Sequence, residues 1–210
     1  MLSPDVVENN GSIRVKNRAA KWLTEVFQPP VVVSLQLLIS PVAQAGFPGT
    51  IGYGALAALF VCVLPLVVLL VLVRLGKVTD HHVSDRKQRA PVLLMALGCI
   101  AVGLLVLGAV DAPASVVAMV LAVVGGVAVL AVVSPFWKMS GHAAAASCAA
   151  VVVVLMLGAA WAPLLLLIPA VSWSRVVLRA HSLAQVVAGS LFGGVVMAGI
   201  WWLLQGWLVG

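Results

Sequence analysis

Residues Ala114 to Ser134 read ASVVAMVLAVVGGVAVLAVVS, a stretch with no charged group and an apolar side chain at nearly every position. A run of this kind is long enough to cross the hydrocarbon core of a bilayer, which takes about 20 apolar residues in helical form. It lacks the period-two alternation of an outer-membrane strand, so a helix is the structure that satisfies its backbone in lipid. The same reading extends in both directions. Apolar spans are expected at 29–45, 54–75, 91–110, 114–134, 143–160, 163–179 and 183–207. The first and sixth lie near the lower length limit and contain Pro41 and Pro169, which fits a tilted, kinked or re-entrant segment. The expected fold is an all-α, polytopic membrane helix bundle of six or seven transmembrane helices.

The composition agrees. With 63% hydrophobic and 9% charged residues in a chain of 210, and a mean hydropathy of +1.20, no large soluble domain and no ATPase domain fits between the spans. Residues 1–28 are the polar exception. There Arg14, Lys16, Arg18 and Lys21 interleave with Ile13, Val15, Trp22, Leu23, Val26 and Phe27, the pattern of a cytoplasmic, interfacial segment rather than a cleaved signal. The chain therefore divides into an N-terminal segment, 1–28, and a single transmembrane domain, 29–210. Cys62, Cys99 and Cys148 sit in apolar runs without C-x-x-C spacing and read as packing residues. Gly189 and Gly193 form a G-x-x-x-G in the last span, read as ordinary close helix packing rather than a dedicated dimer motif. The oligomeric state stays open.

Twelve Lys and Arg against six Asp and Glu give a net charge of +6. In a chain this apolar, that balance suits membrane lipid head groups or phosphate substrates, with no nucleic acid partner. Four basic residues lie in the N-terminal segment, five between Arg74 and Arg89, one at Lys138 and two at Arg175 and Arg179. Seven spans put all of them on one face, while the opposite loops carry only Asp111. The positive-inside rule makes the basic face cytoplasmic, in an expected plasma membrane location.

Beyond the N-terminal segment, polar side chains gather at Lys77 to Arg89, Lys138 to His142 and Ser172 to Gln185, each separated from the next by a pair of spans. All four histidines, His81, His82, His142 and His181, belong to these clusters, beside Arg86, Arg89, Arg175 and Arg179. Guanidinium groups and a Ser-Gly turn at a helix start offer donors to phosphoryl oxygens, and two separate imidazoles can act as nucleophile and proton donor. This is a phosphoryl-transfer set that requires no metal. Asp80 and Asp85, with His81 and His82, are the only candidates for a divalent ion; their spacing matches no recognised metal motif. Basic neighbours favour salt bridges to Arg86, Lys87 or Arg89 instead.

The order and spacing of these residues resemble the type 2 phosphatidic acid phosphatase family, the lipid phosphatases grouped with vanadium haloperoxidases. That family's signature is K-x6-R-P, then P-S-G-H, then S-R-x5-H-x3-D. Here Ser140-Gly141-His142 matches the second motif, and Ser174-Arg175 followed by His181 the third. The resemblance implies His181 as nucleophile and His142 as the acid for the leaving oxygen, with Arg89, Arg175, Ser140 and the Gly141 amide cradling phosphate. The chain departs from the pattern at several positions. His82 stands where the first motif has lysine, and Ala90 separates Arg89 from Pro91, which leaves Arg86 or Lys87 as substitutes. Met139 replaces the proline, and Gln185 replaces the aspartate that activates the nucleophile. A glutamine oxygen can accept the imidazole N–H, but it brings no charge to balance a developing imidazolium.

What the resemblance implies is an integral membrane phosphatase that hydrolyses a lipid phosphate or isoprenoid (di)phosphate through a phosphohistidine, without a cofactor. The missing aspartate keeps a second reading open, in which the same pocket ionises an isoprenoid diphosphate for cyclisation or prenyl transfer, with Mg2+ as the cofactor. A catalytically weak lipid-binding homologue is the third.

Overall fold

The computed structural model describes residues 4–81, 83 and 85–209, with side chains at the same positions except 4–14 and 86. Among the described residues there are eight helices and no strand. We number them α1 (Pro4–Val26), α2 (Pro29–Ile39), α3 (Ile51–Arg74), α4 (Arg86–Ala109), α5 (Ala114–Val133), α6 (Gly141–Leu157), α7 (Ala159–Val177) and α8 (Leu183–Leu208).

Local chemistry sets most of the boundaries. Gln28 is extended (φ −60°, ψ 142°) before Pro29 and Pro30, as a residue preceding proline tends to be, and the prolines then occupy the first helical positions, where no N–H is needed. The chain bends by 43° there, at the junction where the sequence divides the polar segment from the first span. In α3, Pro65 has no N–H for the carbonyl of Val61 four residues back, and the helix widens into a π turn at Leu59–Val63. α4 begins at Arg86, five residues before the expected start at 91. The Asp85 side chain accepts the Lys87 N–H (3.0 Å) and caps the helix, while Pro91 is still near its N-terminus. α6 starts at the N-cap Ser140 and stops at Gly158, whose φ of 94° and ψ of 175° favour a residue without a Cβ. The first half of α7, Ala159–Leu166, is a 3-10 helix containing Pro163.

α6 lies at the centre, packed by α2, α7 and α8, while α5 bridges α4 and α8, and α1 lies along α7. Its sequence explains the position. Ala143 through Cys148 are small and buried, so neighbouring helices approach its backbone closely. α8 brings glycines to that surface: a Cβ at Gly189 would stand 2.5 Å from the Ser140 carbonyl oxygen, and one at Gly193 would collide with the Ala144 carbonyl. The G-x-x-x-G is thus the α6–α8 contact within this chain. Cys62 and Cys148 are buried and all three thiols are free, as expected for packing residues.

Among the described residues five helices are long and apolar enough to cross a membrane: α3, α4 from Lys87, α5, α7 and α8. The bent pair Val15–Val26 with Pro29–Ala43 makes a sixth when counted as one broken span. α6, expected as a span at 143–160, is a 17-residue apolar helix enclosed by its neighbours. The chain is a polytopic, all-α membrane protein.

Candidate active site

Three chain reversals meet at one end of the bundle: the loop before α4, the loop between α5 and α6, and the loop between α7 and α8. The last of these turns sharply after α7. Arg179 adopts a left-handed conformation (φ 53°), and the Arg175 carbonyl accepts the N–H groups of Ala180 (3.0 Å) and His181 (3.3 Å). This wrapping of the helix C-terminus carries His181 back beneath the bundle end, where it is only 7% exposed.

The His181 ring has a defined tautomer. Its Nδ1 lies 3.2 Å from the Lys138 carbonyl oxygen and 3.2 Å from Gln185 Oε1. Gln185 Oε1 also accepts the Ser182 N–H (3.1 Å), in a capping box where the Ser182 hydroxyl receives the Gln185 N–H. Nδ1 faces two acceptors and so donates, leaving the Nε2 lone pair for chemistry. Burial, then the charges of Arg175, Arg89 and Lys138, push the imidazole down to about 4, against a smaller opposing effect of the Lys138 carbonyl. The ring is neutral at pH 7.

The cations around it come from three elements. Arg175, near the end of α7, is 7% exposed; it donates from Nη1 to Thr24 Oγ1 of α1 (3.3 Å), and its Nε has no hydrogen-bond partner among the described residues. Arg89 in α4 donates from Nε to the Val83 carbonyl (3.2 Å) and reaches the Met139 carbonyl at 3.5 Å. Val83 has a φ of 48°, a strained conformation for a β-branched residue, and its carbonyl is the one turned toward Arg89. The Lys138 ammonium is held below its ordinary value by burial first, then by Arg89 and Arg175, with Asp80 opposing. Asp80 and Glu25 are the carboxylates whose fields reach this group. Three cations drawn together with a neutral imidazole form a local excess of positive charge suited to an anion.

The N-terminus of α6 completes the arrangement. The Ser140 side chain caps the helix by accepting the Ala143 N–H (3.4 Å), and the Ser140 N–H donates to the Gln185 carbonyl (3.2 Å). That bond and the bare Gly189 hold the α6 start against the His181 loop. A cavity of about 280 Å³ opens beside it, with Arg89, Gly141, His142 and His81 at its polar end and apolar side chains of α2, α3, α4 and α5 along the rest. Arg89 belongs to both the cavity wall and the charged group.

The structure therefore brings Arg89, Ser140, Gly141, His142, Arg175, His181 and Gln185 to one end of the bundle. Ser140 is fully buried, and its side-chain oxygen serves as a helix cap. His82 lies outside the described residues, as does the Arg86 side chain. Asp85 serves α4 as its N-cap, Asp80 offsets Arg89 and Lys138, and among the described residues no group of three or more His, Cys, Asp or Glu is placed to hold a metal. The sequence reading missed Thr24 and Glu25. The available signal was Glu25 itself, the one acid between Arg14 and Asp80, directly before an apolar span.

Fold and site together define a helical membrane protein with a buried imidazole among cations at one end of its bundle. No family model, curated protein or solved structure matches this chain.

Proposed function

We propose that this protein is an integral membrane phosphatase acting on a lipid phosphate or isoprenoid (di)phosphate. The observation that carries the reading is the His181 ring. It is neutral, its Nδ1–H is held by Lys138 and Gln185, and Arg89, Arg175 and Lys138 lie close enough for their charges to act on it. In this reading the phosphoryl oxygens lie among those cations and the amides at the α6 N-terminus. His181 Nε2 attacks phosphorus; a P–N bond forms as the P–O bond to the lipid breaks, and His142 gives a proton to the departing oxygen. Water then attacks the phosphorus of the phosphohistidine and passes its proton to His142 as the P–N bond breaks, which releases inorganic phosphate and restores the neutral His181 ring and the protonated His142. Because carbonyl oxygens rather than a carboxylate face Nδ1–H, the imidazole is a weak nucleophile and its phosphorylation is the slow step. The positive-inside rule supports a cytoplasmic site.

The test is phosphate release by purified protein from prenyl phosphates, prenyl diphosphates and phosphatidate, without added metal. Activity lost in His181→Ala is the expected result, and no release from any of these substrates overturns the reading. Equal release by wild type and His181→Ala returns the protein to the lipid-binding class. Gln185 favours one second reading, ionisation of an isoprenoid diphosphate with Mg2+. A rearranged hydrocarbon or a prenylated acceptor in the mass spectrum, in place of the simple alcohol or monophosphate, identifies it.

A further inference from the structure

We propose that Thr24, from the N-terminal segment, is a positioning residue for Arg175 and acts through a chain of hydroxyl groups whose direction is fixed. The inference rests on the phosphatase reading, in which Arg175 holds phosphate, and adds to that site a residue 151 positions away in the sequence. α1 buries Ala20 and Thr24, one helical turn apart, and it packs along α7, whereas Trp22 between them is exposed. Thr24 Oγ1 lies 3.2 Å from Ser174 Oγ and 3.3 Å from Arg175 Nη1. Ser174 Oγ in turn lies 2.7 Å from the Val171 carbonyl oxygen. A carbonyl cannot donate, so the single hydroxyl proton of Ser174 goes to Val171. A guanidinium cannot accept, so Thr24 takes the Arg175 N–H on a lone pair and gives its own proton to Ser174. The chain therefore runs from Arg175 through Thr24 and Ser174 to Val171, and both hydroxyls donate and accept.

This direction assigns roles to all three side chains. An arginine stem has many rotamers, while recognition of a phosphoryl group needs its planar fork in one orientation. The bond to Thr24 ties one Nη of that fork to a helix that is itself packed on α7. The Arg175 Nε–H is left buried and without a partner among the described residues. A buried donor in that state favours the arrival of an acceptor, which in the phosphatase reading is a phosphoryl oxygen. Ser174 is fully buried and its proton is committed to Val171, so this hydroxyl supports Arg175 through Thr24 and does not donate to phosphate. The N-terminal segment thus contributes to the site although none of its side chains touches the phosphate.

The experiment measures the affinity of the full chain, in detergent micelles, for inorganic phosphate by calorimetry, beside phosphate release from prenyl phosphates. Thr24→Val keeps the branched shape and removes the hydroxyl, so it should weaken phosphate binding by about three- to tenfold. Thr24→Ser, which keeps the hydroxyl, should bring the affinity back to within about twofold of wild type. In an Arg175→Ala background Thr24→Val should change the affinity no further, because the chain has lost the group it positions. Should Thr24→Val fail to fold, Thr24→Ala takes its place with the same expectations. Equal affinity in wild type and the hydroxyl-free variant, or an equal loss when Arg175 is already absent, overturns the positioning role. If the wild type binds phosphate and the variants follow the expected pattern, but no lipid phosphate is hydrolysed, the Thr24 chain stands and the phosphatase reading falls. Hydrolysis by the wild type with unaltered phosphate affinity in Thr24→Val overturns the Thr24 chain alone.

Discussion

Replacing Gln185 by glutamate tests the charge that this site lacks. Glutamate matches glutamine in length, so its carboxylate can keep both contacts of Oε1, to His181 Nδ1 (3.2 Å) and to the Ser182 N–H (3.1 Å). Aspartate, one methylene shorter, would retract from the ring. The change also suits the helix start, because Ser-x-x-Glu is itself a capping box and an acid in the first turn complements the helix dipole. A carboxylate this close to an imidazole favours its charged form by about 1.4–4 kcal/mol. If half of that charge has developed when Nε2 reaches phosphorus, the barrier falls by about 0.7–2 kcal/mol, a rate gain of about 3- to 30-fold. The assay is the initial rate of phosphate release across pH. In the wild type His181 stays unprotonated until the pH falls through about 4, so the acidic limb lies near that value. In Gln185→Glu the proton is held more tightly and the limb moves toward neutral. An unchanged or lower rate, in a variant with an unaltered thermal midpoint, refutes the reasoning.

Lys138→Met removes one of the cations that keep the ring neutral while leaving the Lys138 carbonyl in place. Its pH–rate profile should show the acidic limb displaced upward; a limb that stays put means that the Lys138 charge does not reach the ring. Arg175→Ala should weaken competitive inhibition by phosphate or vanadate by about ten- to a hundredfold, the usual value of a lost charge-assisted hydrogen bond. Gly193→Ala places a methyl group against the Ala144 carbonyl and should destabilise the bundle by about 1–3 kcal/mol. Gly206→Ala, where a Cβ meets nothing within 4 Å, is the control, and equal thermal midpoints for the two variants would remove the close α6–α8 contact from the account.

The helical, membrane-spanning character of the chain is legible in stretches such as 114–134, because a backbone in lipid has few alternatives to a helix and apolar composition alone selects that environment. Boundaries are less legible. The start of α4 is set by Asp85, which reads in the sequence as a charge for salt bridging or metal binding and acts in the fold as a cap. The role of Gly189 and Gly193 is also decided by context, since G-x-x-x-G serves contacts within and between chains equally well.

The sequence by itself settled that His142, His181, Arg89 and Arg175 lie near helix ends, since polar residues in so apolar a chain are confined to the places where spans stop. Spacing along the chain does not carry distance across it. That Thr24 of α1 bonds to Arg175, that the Lys138 carbonyl shares the His181 Nδ1 proton with Gln185, and that the polar end adjoins an apolar cavity are outcomes of packing. They follow from small residues on α6 and glycines on α8 that let helices remote in sequence approach closely, and only the assembled bundle brings those faces together.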